Sequence, residues 1–366
     1  YGGPGLGLFG IRFNQQNKNA IRSTAGRYVG AAKDEADREC KVMVLSTREQ
    51  HIRKEKATSN ICSNQGFVAT MAGACILTRG DEELAAILET STTIALRAAK
   101  ALTGFEGVEL SYPNQPFLNS FSLNLPVDAT EFLEKAEAQG LIAGVNLNDR
   151  CRSANQIMLS FSDRNTEEDL EQLIHFFSNQ FPVGSGQTPV KIPAELIRKT
   201  APGLPKFSTD EIFDYYQKLG EQNISPDQGP YPLGSCTMKY NPYINDACAG
   251  LSGFTRVHPQ SPESLSQGCL QILFEVQEIF KNMLGLPGCT TQPVAGAQGE
   301  LVGIKMFQAY HKDHSKTERD ILIIPRSAHG TNYATATMAG FKSKNADGVP
   351  GLQLIDADQI DDIMAG

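Results

Sequence analysis

The 366-residue chain contains no tryptophan, and it contains no stretch of about 18 apolar residues, the length a bilayer-crossing helix requires. No membrane span is therefore expected. A basic excess is missing as well. Lys and Arg number 33 against 41 Asp and Glu, which leaves a net charge of −8. That balance argues against nucleic acid as a partner, because phosphate binding favours a basic face. The eight cysteines (Cys40, Cys62, Cys75, Cys151, Cys236, Cys248, Cys269 and Cys289) include no CxxC pair and no Cys/His cluster at zinc spacing. Free thiols in a reducing compartment are the expectation, and no metal site is. No targeting signal is visible. The opening Tyr1-Gly2-Gly3-Pro4-Gly5 reads as a turn that follows something, and Ile363-Met364-Ala365-Gly366 closes in or just after a helical pattern. Both ends read as cut, so the chain is expected to be an internal fragment.

What is present is organised in blocks. Residues 48–79 read as a helix broken in places. Residues 81–102 read as a clearer one, with Leu84, Ile87, Leu88, Ile94, Ala95, Ala98 and Leu102 at helical spacing and Gly104 past its end. Residues 108–112 and 121–125 alternate as strands. Asp128–Gln139 reads as a helix, 156–161 as a strand, and Thr166–Asn179 as a helix with Thr166 as its cap. Strand, strand, helix, strand, helix makes a small α+β layer with helices on one face. Nine prolines punctuate residues 180–242, the best candidate domain connection, where only a short helix near Thr209–Leu219 is expected. From 260 the pattern becomes α/β. It comprises a helix at about 264–284, a short strand after Gly288, a helix Glu300–His311 and the apolar strand 321–324. The strand 352–355 and the helix Asp358–Ala365 complete it. The unbroken Ile321-Leu322-Ile323-Ile324 suits a parallel strand, and the block reads as the beginning of a doubly wound sheet.

Four segments could carry chemistry. In Ala295-Gly296-Ala297-Gln298-Gly299-Glu300, small residues lead into a helix start, which suits either a phosphate cradle or an ordinary strand-to-helix turn. Ser327-Ala328-His329-Gly330-Thr331-Asn332 follows the strand 321–324, at the end where α/β sheets gather ligands. His329 there can stack on a ring or exchange a proton, or it can simply satisfy loop backbone. Residues 231–242, including Lys239, read as a linker, with Lys239 a loop cation rather than a Schiff-base lysine. Gly5-Leu6-Gly7-Leu8-Phe9-Gly10 formally spells GxGxxG but lacks the preceding strand and the acid about 20 positions on, so dinucleotide binding is not expected.

Taken together these segments resemble the glycine decarboxylase family, the P-protein of the glycine cleavage system. The likeness rests on Pro230–Pro242, on Gln292-Pro293-Val294-Ala295-Gly296-Ala297-Gln298-Gly299-Glu300 and on Ser327–Asn332. Upstream it rests on Gly2–Gly7, Thr47–Arg53 and Lys56-Ala57-Thr58-Ser59-Asn60-Ile61-Cys62. The order and intervals fit along essentially the whole chain. Tyr333 departs from the pattern, standing where the family usually has proline.

The resemblance implies the pyridoxal-phosphate (PLP)-dependent transferase fold type I, aspartate-aminotransferase-like and incomplete. A small α+β domain of a first half would be followed by the start of a doubly wound large domain of a second. Residues 1–10 would close the first half's large domain, 11–180 form its small α+β domain, 181–240 connect the halves and 241–366 open the PLP-binding large domain. It implies PLP as cofactor, with Gly296, Ala297, Gln298 and Gly299 at its phosphate. His329 would lie against the pyridine ring, and Thr331 and Asn332 would line the same pocket. The implied activity is decarboxylation of glycine with transfer of the aminomethyl group to the lipoyl arm of H-protein, in a dimer or (αβ)2-like assembly. The location would be cytoplasmic if the source is bacterial and mitochondrial if it is eukaryotic. In the family, the lysine that holds PLP and the acid that pairs with the pyridine nitrogen follow the segment matched here, so the 366 residues alone are expected to be inactive. Another fold-type-I decarboxylase or transaminase, or a scaffold without catalysis, are the alternatives.

Overall fold

The computed structural model describes residues 15–17, 20, 28–44, 49–60, 66–148, 155–224, 229–230, 241–258, 260–346 and 360–365. Residues 1–10, the 231–240 segment with Lys239, and the expected strand 352–355 lie outside the described residues. Strands β1 (Tyr28–Lys33) and β2 (Glu39–Val44) come first, followed by the short helix α1 (Gln50–Arg53) and the long helix α2 (Gly66–Leu102). Then come β3 (Glu109–Leu110), β4 (Ser120–Asn124), α3 (Ala129–Glu137), β5 (Val145–Asn146), β6 (Gln156–Ser160) and α4 (Glu167–Gln180). Next are α5 (Thr209–Gly220), α6 (Tyr243–Ala249), α7 (Ser252–Thr255), α8 (Glu263–Leu284) and α9 (Gly296–Asp313). The chain continues through β7 (Ile321–Pro325), α10 (Gly330–Ala339), β8 (Lys342–Ala346) and α11 (Ile360–Ala365). The described residues fall into two compact units, one within 70–266 and one assembled from segments within 5–69 and 267–366. No described helix is long and apolar enough to cross a membrane. No cluster of potential metal ligands occurs among the described residues, and Cys40, Cys75, Cys248, Cys269 and Cys289 are free.

The first unit is built on an antiparallel sheet of order β3-β4-β6-β5. Strict alternation sets its faces. Phe121 and Leu123 of β4 stand opposite Leu159 and Ile157 of β6, and all four are buried. The other face is polar, with Ser120 and Ser160 hydroxyls 2.8 Å apart and the Gln156 amide donating to Asn124 at 2.8 Å. The C-terminal half of α2 joins the buried face through Ile94, Ala95, Ala98, Ala99 and Leu102. Its alanines permit close approach. Helices α3 and α4 complete the core with Phe132, Phe176 and Phe177, whose rings lie 5.0–6.4 Å apart. Both helices begin where their caps dictate. The Asp128 carboxylate accepts from the Thr130 and Glu131 amides, and Thr166 with Asp169 forms a reciprocal capping box.

Helix α2 joins the end of the stretch expected at 48–79 to the helix expected at 81–102, with a break at Gly80 (φ 68, ψ −175). A side chain at Gly80 would meet the Lys206 Cβ at 2.9 Å, so glycine is required there both for its backbone and for its space. The next residue, Asp81, turns its carboxylate to the amides of Gly203 and Leu204 at 2.8 and 2.9 Å. The proline-rich segment 201–207 is thereby fastened to the kink.

The first of those two stretches was expected to be broken in places, and a break follows Arg53. Helix ends at Arg53, residues 54–56 form one 3-10 turn, and 57–60 leave helical geometry. Backbone groups there serve partners distant in sequence, as the Asn60 carbonyl does for the Thr331 hydroxyl. The hairpin β1–β2 had no strong apolar alternation to announce it. It closes through Asp34, whose carboxylate accepts from the Ala36 and Arg38 amides.

In the second unit β7 pairs in parallel with β8, Ile321 opposite Lys342 through Pro325 opposite Ala346. Helix α10 crosses between them and ends at Gly340 in the left-handed conformation (φ 91). Residues 286–295, where a strand was expected after Gly288, form no strand. Strand β8, Lys-Ser-Lys-Asn-Ala, was invisible to an apolar pattern.

Candidate functional site

Helix α9 starts at Gly296, four residues before the expected start at Glu300. Ala295 is its N-cap, in extended conformation (φ −153, ψ 160). Its methyl supplies no cap hydrogen bond, and the first turn holds no acidic residue. The positive end of an 18-residue helix is therefore not neutralised by its own side chains. Gln298 helps to shape the turn, its Oε1 accepting from the Val294 amide at 3.1 Å. A side chain added at Gly296 or Gly299 would meet no atom within 4 Å, so open space lies beside both positions.

The 327–332 segment is not a loop throughout, as expected. The chain turns over 326–329 and Gly330 already begins α10. The cause is His329, which is the N-cap: its Nδ1 accepts from the Thr331 amide at 3.2 Å and its carbonyl from the Asn332 amide at 3.1 Å. That bond fixes the proton of a neutral ring on Nε2. The imidazole itself is exposed.

Several hydrogen bonds bring the two segments together. The Asn332 side chain donates to Oε1 of Glu300, and the Thr335 hydroxyl donates to Oε2 at 2.8 Å. Asn60 supplies the third element. Its Nδ2 donates to the Ala297 carbonyl at 3.0 Å and to the Thr335 hydroxyl at 3.2 Å, and its carbonyl accepts from the Thr331 hydroxyl at 3.2 Å. Ala297, Thr331 and Asn332 are thus members of one network. Gln298 and His329 are set by local capping bonds, and Gly296 and Gly299 belong to the turn they shape.

Tyr333 fills core. It is 2% exposed, and its hydroxyl donates within reach of the Pro325 carbonyl (3.0 Å) and Asn345 Oδ1 (2.8 Å), joining β7 to β8. Burial pushes its phenol up from the ordinary tyrosine value. The Lys54 ammonium lies 4.5 Å from the centre of its ring.

Asn60, Glu300 and Thr335 were not singled out by sequence reasoning as site residues. Asn60 and Glu300 stood inside quoted motifs. Only the fold reveals that residues 237 positions apart share a hydrogen bond.

Against known proteins, the profile of the family described as "Glycine cleavage system P-protein" matches residues 1–177. The glycine dehydrogenase (decarboxylating) of Shewanella pealeana is 33% identical over 359 residues, covering 93% of this chain and 35% of the relative. That of Xanthomonas euvesicatoria pv. vesicatoria is 33% identical over 348 residues, with the same coverage. The probable glycine dehydrogenase (decarboxylating) subunit 2 of Nitrosospira multiformis is 50% identical over 151 residues, 41% of this chain and 30% of that protein. A solved glycine decarboxylase (P-protein) of the glycine cleavage system, in inhibitor-bound form, is 28% identical. It covers 44% of this chain and 37% of its own, at a TM-score of 0.38. The chain spans about a third of the length of the curated relatives it matches. With a family profile over 1–177 and relatives aligned along 93% of its length, the chain is similar to the glycine cleavage system P-protein family.

Proposed function

We propose that this chain contributes to a PLP-dependent glycine decarboxylase that passes the aminomethyl group of glycine to the lipoyl arm of H-protein. The observation that carries the reading is the union of two segments. The acid-free start of α9 and the turn presenting His329 are tied together through Asn332 and Glu300. The residues suit the cofactor. Gly296, Ala297, Gln298 and Gly299 would hold the phosphate, because the positive end of a helix favours an anion and open space lies beside both glycines. His329, exposed and fixed in orientation by its cap bond, would lie against the pyridine ring. Thr331 and Asn332 would line the same pocket. When bound, PLP supplies an electron sink for the electron pair left as CO2 departs. The chain's own residues orient that ring and neutralise its phosphate.

In this reading residues 241–366 open a fold-type-I large domain, aspartate-aminotransferase-like. Residues 1–10 close the preceding large domain, 11–180 make the small α+β domain and 181–240 the connection. Glycine and lipoylated H-protein are the partners, in a dimer or (αβ)2-like assembly.

The test is glycine-dependent CO2 release by the natural protein with PLP and lipoylated H-protein. Release that requires all three components is expected. PLP uptake without glycine turnover would instead favour another fold-type-I enzyme, and no uptake of PLP would favour a scaffold.

A further inference from the structure

We infer that Asn60 and Glu300 are positioning residues: together they lock the start of α9 to the His329–Asn332 turn, making residues 49–60 a structural part of the pocket. The pocket half of this inference rests on the cofactor reading above; the lock itself does not.

The donor directions in the network are determined. Asn60 is 2% exposed and Thr335 0%. The Asn60 amide nitrogen faces the Ala297 carbonyl at 3.0 Å. Reversing the amide would set two oxygens against each other, so the orientation is fixed by its partner. The second amide hydrogen goes to the Thr335 oxygen at 3.2 Å, which leaves the single Thr335 hydrogen for Glu300 at 2.8 Å. Glu300 therefore accepts on both oxygens, from Thr335 and from Asn332. Every link has one donor and one acceptor, and removing Glu300 leaves the buried Thr335 hydroxyl without its acceptor.

The geometry connects this lock to the pocket. Carbonyls of a helix point toward its C-terminus and amides toward its N-terminus. Asn60 thus grips the first turn of α9 by its carbonyl side, leaving the amide side for a ligand. The Thr331 hydroxyl, donating to the Asn60 carbonyl at 3.2 Å, fastens the first turn of α10 to the same residue. One asparagine therefore sets the spacing between the phosphate side and the ring side. Neither Asn60 nor Glu300 needs to touch the cofactor.

The experiment uses the natural protein in four forms: wild type, Asn60→Ala, Glu300→Gln and Thr335→Ser. Glu300→Gln keeps the shape but puts a donor where an acceptor is needed, and Thr335→Ser retains the hydroxyl as a rescue control. Amide hydrogen exchange is measured without cofactor, and PLP affinity by equilibrium dialysis. In Asn60→Ala and Glu300→Gln, exchange over 297–300 and 330–336 should quicken about tenfold, with β4 and β6 amides unchanged. The PLP dissociation constant should rise roughly tenfold, the scale of one lost buried hydrogen bond. Thr335→Ser should resemble wild type in both. Unchanged exchange would overturn the lock. Faster exchange with unchanged PLP affinity would overturn the positioning role. Failure of the wild type itself to bind PLP would overturn the cofactor reading and with it the pocket half, while altered exchange would still support the lock.

Discussion

At the scale of single residues, His329 has two separable duties. As N-cap it accepts the Thr331 amide, and as an exposed ring it is proposed to lie against the cofactor. His329→Ala should cost about 1 kcal/mol of stability, the usual value of a lost cap, and should also weaken PLP binding. His329→Asn keeps a capping oxygen, so thermal unfolding should stay near wild type while PLP binding still weakens. If His329→Asn binds PLP normally, the ring has no ligand duty. Tyr333 makes a prediction with pH. Burial raises its phenol above the ordinary value of 10.0, so the folded state resists ionisation more than the unfolded state does. Its contribution is fully present below about pH 10 and declines as pH rises through the folded value. Alkaline unfolding monitored between pH 9 and 12 should show a step that shrinks in Tyr333→Phe. The place of His329 just after an apolar strand was legible. Its capping role was not, because a cap depends on where the helix starts, and Gly330 disguised that start.

At the scale of elements, the kink of α2 and the caps of the first unit are the sensitive points. Gly80→Ala forces a side chain into positive φ and against Lys206 Cβ at 2.9 Å, and should destabilise by about 1–3 kcal/mol. Urea unfolding checks this; an unchanged midpoint would mean that the kink relaxes. Thr166→Ala removes one arm of the box with Asp169 and should cost about 1 kcal/mol. Helices α2, α3 and α4 and strands β4 and β6 were legible because each carries its own periodicity or cap. Strand β8 and the hairpin β1–β2 were not. β8 exists by pairing with β7, and pairing is a property of the partner. The break expected within 48–79 includes 57–60, but its partners were not legible, since the Asn60 carbonyl and side-chain amide reach Thr331, Ala297 and Thr335.

At the scale of the whole molecule, the first unit draws its stability from one apolar layer between sheet and helices. Phe132 is 1% exposed and touches the rings of Phe176, Phe177 and Phe181. Phe132→Ala should cost about 3–5 kcal/mol, seen as lost protection of β4 and β6 amides. The candidate site belongs to the other unit and was legible as two motifs, 295–300 and 327–332. What joins them was hidden, since Asn60 arrives from far upstream. The account stands on the start of α9 being an anion seat. Gly296→Asp tests this directly, since a side chain there meets nothing within 4 Å and an acid in a first turn favours the helix itself. In equilibrium dialysis of the natural protein, the PLP dissociation constant should rise tenfold or more with thermal stability undiminished. An unchanged dissociation constant would contradict the account.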